Sequence, residues 1–203
     1  MMKKALVLGN SKGIGLEISR SLRVEGFYVY DISRTTGYDL MEEEGLDKLF
    51  KEVKEVDILI GNIGGMGTCG IEEFEEVMKK NYFINVKVML NYLPNMVKNN
   101  YGKVIFISSI FGKEKGSNPA FVASKAAQIA FLKSMTTLKE YKNIQFNTVC
   151  PGYIDVGKRF LNNPKNIGSP KDVANLVTFL CGEKVIYING ACIVIDGGES
   201  RSF

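Results

Sequence analysis

Residues 4–22, KALVLGNSKGIGLEISRSL, constrain the fold more than any other stretch. A short apolar run stops at a glycine, a loop with Gly9, Gly13 and Gly15 follows, and Ile14, Ile18 and Leu22 then recur at a spacing of four. Such a run is a strand, and a spacing of four is one face of an amphipathic helix. Gly26 stops that helix. The alternation repeats to the end of the chain. FYVYDI is a second strand, Leu46, Leu49, Phe50 and Val53 mark a helix face, and VDILIG is a third strand. A long helical segment over about 72–97 has Pro94 near its end, and KVIFIS is a buried strand. Residues 119–138 have helical composition, with Pro119 suited to a first turn. IQFNTVCPG is a strand broken by Pro151 and Gly152. Ser169, Pro170 and Asp172 open another helix, and GACIVIDGG is the last strand. Continuous apolar strands alternating with helices give a parallel sheet covered on both faces. Right-handed crossovers make it a doubly wound α/β fold. One connection is short: SRTTGYDLMEEEG, after the second strand, leaves no room for the helix and full strand expected next.

The 203 residues suit a single domain spanning 1–203, with no linker, repeat or low-complexity stretch. The net charge of +4 comes from lysines interleaved with glutamates, as in DKLFKEVKEVD, so there is no basic stripe and nucleic acid is not an expected partner. No apolar run approaches the roughly 20 residues of a membrane span. The apolar run at the start is too short for a signal peptide. The chain has no histidine. That excludes Ser-His-Asp and Cys-His mechanisms and argues against a zinc site, so no metal is expected. Cys69, Cys150, Cys181 and Cys192 form no C-x-x-C pair. They read as reduced packing residues of a cytoplasmic protein.

In GNSKGIG, glycines allow a tight turn and close approach to a pyrophosphate, and the helix start offers free N–H groups and partial positive charge. The spacing G-x-x-x-G-x-G is neither the G-x-G-x-x-G fingerprint nor a Walker loop. Taken with DILIGNIGG at 57–65, VIFISS at 104–109, FVASKAA at 121–127, NTVCPGYI at 147–154 and INGACIVIDGG at 188–198, the chain resembles a short-chain dehydrogenase/reductase over essentially its whole length. The resemblance implies a Rossmann-type fold and hydride transfer between a nicotinamide cofactor and a small carbonyl or alcohol. It implies cofactor contacts at Gly9, Ser11, Lys12, Gly13, Ile14, Gly15, Asn62, Gly64, Pro151, Gly152 and Ile154. In such proteins the end of the second strand selects the cofactor: an acid bonds the ribose 2′-hydroxyl of NAD, an arginine the 2′-phosphate of NADP. Here that position falls on Ser33, followed by Arg34, which favours NADP(H) over NAD(H); Asp31 is the competing residue. Asp39 resembles the acid that bonds the adenine amino group.

The family's catalytic set carries over as Ser109 to polarise the carbonyl, with Ser108 as alternative. Lys125 holds the nicotinamide ribose, and Asn81, or more weakly Asn85, supports a water chain. The tyrosine that serves as acid is Phe121 here. General acid catalysis contributes roughly 10²–10⁴-fold, so binding can survive while turnover falls. Two more departures agree. NNAG is replaced by GNIG, with Gly61 and Ile63 substituted, and a threonine near the carboxamide is replaced by Val156. The connection between PGYIDV and SPKDVA is only twelve residues, 157–168. It is a reduced lid that suggests an open site or a bulky, carrier-borne substrate. Tyr153 is the nearest candidate for a borrowed hydroxyl. Two functions follow: an NADP(H)-preferring oxidoreductase with altered acid catalysis, or a non-catalytic NADP(H)-binding sensor, partner subunit or scaffold. A methyltransferase gives no reason for PGYI and IDGG. The resemblance also implies a homodimer or homotetramer, paired through residues 72–97 and 119–138 with Met89, Tyr92, Leu93, Phe131 and Met135 in the contact. The alternative is that these side chains face the chain's own sheet.

Overall fold

The computed structural model describes residues 2–67, 73–157 and 166–201. Its strands are β1 (Lys4–Leu8), β2 (Tyr28–Ile32), β3 (Ile58–Gly61), β4 (Gly102–Ile107), β5 (Ile144–Pro151) and β6 (Cys192–Ile195). They form one sheet in the order β2-β1-β3-β4-β5-β6, every pair parallel. The helices are α1 (Gly13–Val24), α2 (Glu43–Glu52), α3 (Phe74–Met78), α4 (Ile84–Lys98), α5 (Pro119–Met135) and α6 (Pro170–Cys181). The chain runs from β1 outward to β2 and returns to place β3 on β1's other side. That reversal opens a crevice at the carboxyl ends of β1 and β3, where doubly wound sheets bind ligands.

Alternate side chains of each strand point to opposite faces. Leu6, Leu8, Leu59, Val104, Phe106 and Phe146 pack under α2, α4 and α5. Ala5, Val7, Ile58, Ile60, Ile105 and Val149 pack under α1 and α6. The α6 start is built as its sequence suggests: the Ser169 N–H and hydroxyl both donate to the Asp172 carboxylate at 2.7 Å. At its other end the buried Lys103 ammonium donates to the carbonyls of Leu180, Gly182 and Val185 at 2.7–3.0 Å. These bonds satisfy acceptors that a helix end leaves open.

The short second connection has a simple form. β2 passes through one 3-10 turn, Arg34–Thr36, directly into α2, so β2 itself is the sheet edge. The helical segment expected over about 72–97, whose first residue lies outside the described residues, is present from α3 through α4, with a π-helical turn, Lys79–Phe83, inside it. Hydrophobic spacing cannot reveal a turn set by tertiary hydrogen bonds. One expectation needs correction: Met89, Tyr92, Leu93 and Met135 are not a contact surface. They are at most 6% exposed and pack with Phe131 on this chain's own sheet. The apolar residues that α4 exposes are Leu90 and Val97, one seven-residue step beyond exposed Phe83 in the π turn and then another.

Candidate active site

Three segments meet at the crevice. The first is the glycine loop. Gly9 and Gly13 have φ of +72° and +56°, values that side chains with a Cβ rarely adopt. The Asn62 amide donates to the carbonyls of Leu8 and Gly9, both at 3.2 Å, and ties the loop to the end of β3. Gly15 is buried beneath the loop, where the Gly9 carbonyl and the Asn62 amide occupy the space a Cβ would need. Lys12, at the N-cap of α1, makes no side-chain cap. The first-turn amides therefore have no side-chain acceptor from the cap, and Gly13 and Ile14 stand in the cavity wall.

The second segment ends β2. Asp31 lies in register with Val7, whose side faces α1, and its carboxylate accepts from Arg23 at 2.6 Å and Asn10 at 3.0 Å. It takes no part in the cavity wall. Ser33 and Arg34 do. The Ser33 N–H donates to the Thr36 hydroxyl, which donates to the Asp31 carbonyl, and these bonds fix the turn that carries exposed Arg34. Asp39 is also in the wall, and its carboxylate accepts from the Met41 N–H at 3.1 Å.

The third segment joins β4, α5 and the π turn. Lys125 is 5% exposed. Its ammonium donates to the Ile107 carbonyl at 2.8 Å and to Gln128 Oε1 at 3.4 Å, and lies 5.6 Å from the Phe121 ring centroid. Burial pulls its pKa down to about 8, partly offset by the nearby Cys150 thiol. Asn81 is fully buried behind the wall. Its side chain bonds both main-chain groups of Gly65 and donates to Ser124 Oγ. Its carbonyl, displaced by the π turn, accepts from Asn85 Nδ2 at 2.7 Å and Gln128 Nε2 at 2.6 Å. Gln128 thus bridges the Lys125 ammonium and the Asn81 carbonyl. A Cβ on Gly64 would lie 3.0 Å from Asn81 Oδ1 and 3.3 Å from Lys125 Nζ, so that glycine is what lets the two groups converge.

Ser108 and Ser109 both reach the wall, but differently. The Ser108 hydroxyl donates to the Lys125 carbonyl at 2.8 Å. The Ser109 hydroxyl accepts from the Phe111 N–H at 3.2 Å, which leaves its proton available to a ligand. Tyr153 lines the cavity with its ring edge-on to Phe111 at 5.9 Å. At position 61 a Cβ would meet the Phe106 ring at 2.5 Å and Asn85 Oδ1 at 2.9 Å, so the core has closed over the glycine of GNIG. Within the lid, 158–165 lie outside the described residues. Its ends run side by side: Asp155 N–H donates to the Gly168 carbonyl and Gly168 N–H to that of Tyr153.

A single cavity of about 1250 Å³ links these parts, from Arg34 past Gly9, Ser11, Lys12 and Gly13 to Ser109, Phe121, Lys125, Pro151, Gly152 and Ile154, with Asn62 and Gly64 in its floor. Gly15 and Asn81 lie behind the wall. Sequence reasoning missed Gln128, whose signal was a lone amide in an otherwise apolar helix segment, and the wall residues Lys80 and Lys115. The cleft suits an extended dinucleotide: phosphates against uncapped helix amides and against Gly9 and Gly13, whose positive φ disfavours a side chain, with a cation at one end. Among the described residues no group of His, Cys, Asp or Glu side chains is arranged to hold a metal, and no helix is long and apolar enough to cross a membrane.

This fold and cleft are those of a dinucleotide-dependent oxidoreductase. The chain belongs to the short-chain dehydrogenase/reductase family: the family pattern described as short chain dehydrogenase matches residues 35–165. Among curated relatives, the 3-oxoacyl-[acyl-carrier-protein] reductase MabA of Mycobacterium tuberculosis (strain ATCC 25618 / H37Rv) is 31% identical over 227 residues, covering 97% of this chain and 92% of the relative. The 3-oxoacyl-[acyl-carrier-protein] reductase FabG of Aquifex aeolicus (strain VF5) is 29% identical over 240 residues, covering 97% and 96%. Among solved structures, acetoin dehydrogenase YohF from Salmonella typhimurium superposes with a TM-score of 0.84 at 22% identity, covering 98% of this chain and 96% of that one. That likeness speaks to the fold.

Proposed function

We propose that the chain is an NADP(H)-dependent reductase of small or carrier-borne carbonyl compounds in which the proton comes from Lys125 rather than from a tyrosine. One observation carries this reading. Lys125 is buried yet part of the cavity wall, has a pKa drawn down to about 8, and stands beside a phenyl ring with no hydroxyl. A general acid works best with a pKa near the working pH.

Gly9, Ser11, Lys12, Gly13 and Ile14 hold the pyrophosphate, and Gly15 keeps their loop in shape. Arg34 and Ser33 take the 2′-phosphate, Asp39 the adenine amino group, and Asn62, Gly64, Pro151, Gly152 and Ile154 frame the rest. When bound, the cofactor supplies the hydride. Ser109 donates a hydrogen bond to the substrate oxygen. Lys125 gives that oxygen a proton, becomes a neutral amine, and is reprotonated from solvent. Gln128 and the Ile107 carbonyl hold the ammonium in place, and Asn81 anchors Gln128. The curated relatives named as 3-oxoacyl-carrier reductases make a 3-oxoacyl thioester the first substrate to try. Self-association as a homodimer or homotetramer is part of the proposal, with Phe83, Leu90 and Val97 replacing the buried residues as the apolar surface.

Cofactor choice tests the binding half. NADPH should bind more tightly than NADH, and Arg34→Ala should weaken NADPH binding by about 10–150-fold, as expected for a charge-assisted bond of roughly 1.5–3 kcal/mol. NADH affinity should hardly change. Equal affinities, unaltered in the variant, remove Arg34 from the account. Absence of binding to either cofactor removes the reading altogether. A second reading, a non-catalytic NADP(H)-binding sensor, partner subunit or scaffold, is favoured by Phe121 itself. It gains if NADPH binds and no carbonyl is reduced.

A further inference from the structure

Away from that cleft, two thiols face each other across the last strand pair. In the β5–β6 register Thr148 pairs with Cys192 and Cys150 with Val194, so the two cysteines are diagonal neighbours on one face of the sheet. Their sulfurs are 3.3 Å apart. The environments differ. Cys150 is fully buried, with the Ser108 hydroxyl and Ser109 N–H beside its sulfur. Cys192 is half-buried and lines a separate cavity of about 400 Å³ with Gly112, Ile129, Lys133 and Gly190. β6 is the edge strand, so its side chains can shift by the small amount a bond requires.

We propose that Cys150 and Cys192 are a redox-active dithiol that a hydroperoxide closes to a disulfide, Cys192 attacking and Cys150 resolving. The Cys192 thiolate attacks the O–O bond. An S–O bond forms, the O–O bond breaks, and the leaving oxygen departs as water or alcohol with the proton from the thiol. The Cys150 sulfur then attacks Cys192 Sγ. The S–S bond forms, the S–O bond breaks, and hydroxide leaves as water with the Cys150 proton. Two thiols are oxidised and one peroxide is reduced. The order of attack follows from access and charge. The 400 Å³ cavity reaches Cys192 and not Cys150. A hydrogen bond from Cys150 makes the Cys192 thiol more acidic than usual, aided by Lys113 and Lys133, while the same bond and burial push Cys150 up. Cys150 immediately precedes Pro151 of the cleft wall in sequence, but the chemistry of the dithiol does not depend on whether that cleft turns over.

The test treats the full chain with hydrogen peroxide, alkylates the remaining thiols and maps the peptides. The expected product is a disulfide within one chain between Cys150 and Cys192, with Cys69 and Cys181 still alkylated. Cys150→Ala should instead accumulate a Cys192 sulfenic acid that dimedone traps, since the resolving thiol is gone. Cys192→Ser should show neither disulfide nor dimedone adduct at Cys150. A disulfide that uses Cys69 or joins two chains overturns the proposal. So does a wild-type protein whose four thiols all remain alkylatable, or a Cys192→Ser variant in which Cys150 oxidises as before. If Cys150→Ala does not fold, the wild-type map and Cys192→Ser decide the matter alone.

Discussion

Phe121→Tyr is expected to raise the rate of 3-oxoacyl thioester reduction, by less than the roughly 10²–10⁴-fold of a general acid added where none acts, since Lys125 already serves as one. The ring already stands in the cavity wall. Its backbone is fixed by the Asn118 side chain, which accepts from the Phe121 N–H at 2.9 Å at the start of α5. Lys125 follows four residues later on the same helix face, its ammonium 5.6 Å from the ring centroid. An added phenol therefore enters a site where a neighbouring positive charge favours its ionised form and so strengthens it as an acid. The hydroxyl faces a cavity and needs no new buried partner, so the fold should be little affected. The check is steady-state NADPH consumption by both proteins, together with NADPH affinity to show that binding is unchanged. Equal rates would mean that Lys125 already meets the need for an acid and that a phenol at position 121 adds nothing to it.

Lys125→Met should have two effects of opposite kind. Turnover should fall by about 10² or more, because both the proton and a ribose contact are lost. The dependence of stability on pH should also change. The folded pKa of about 8 lies below the roughly 10.4 of an unfolded lysine. Between these values the unfolded chain binds more protons than the folded one, so wild-type stability rises with pH across that window. The gain is about 3 kcal/mol in order of magnitude, and it is absent from the variant. Other groups that titrate nearby, such as Lys103, act on both proteins and cancel in the difference. Urea unfolding at a series of pH values should show the wild type gaining on Lys125→Met from pH about 8 to about 10. Parallel curves would mean that Lys125 is not desolvated as the structure has it.

Much of this arrangement was legible in the sequence because its causes are local. A strand, a glycine-rich turn and an amphipathic helix are each written in adjacent residues, and their order gave the doubly wound sheet. The short SRTTGYDLMEEEG connection foretold a missing element, and the structure indeed runs from β2 through one turn into α2. What the sequence hid depends on partners distant along the chain. Gln128 acquires meaning only where α5 lies against the π turn, 47 residues away from Asn81. The π turn itself leaves the apolar spacing unbroken. Met89, Tyr92 and Leu93 belong to one helix face, but nothing in their spacing says whether that face meets this chain's sheet or another subunit. Asp31 looked like a rival to Arg34 until the pleat of β2 turned it toward Arg23 and Asn10.

The central claim is that Lys125 supplies the proton that the missing tyrosine would have given. Its most direct test is the pH dependence of kcat/KM for reduction by the wild-type protein at saturating NADPH. A lysine acid with a pKa of about 8 predicts a rate that is level below that pH and falls about tenfold per unit above it. The residual rate of Lys125→Met should lack that break. A wild-type profile that stays flat from pH about 7 to about 10, or a break that survives in Lys125→Met, would contradict the account.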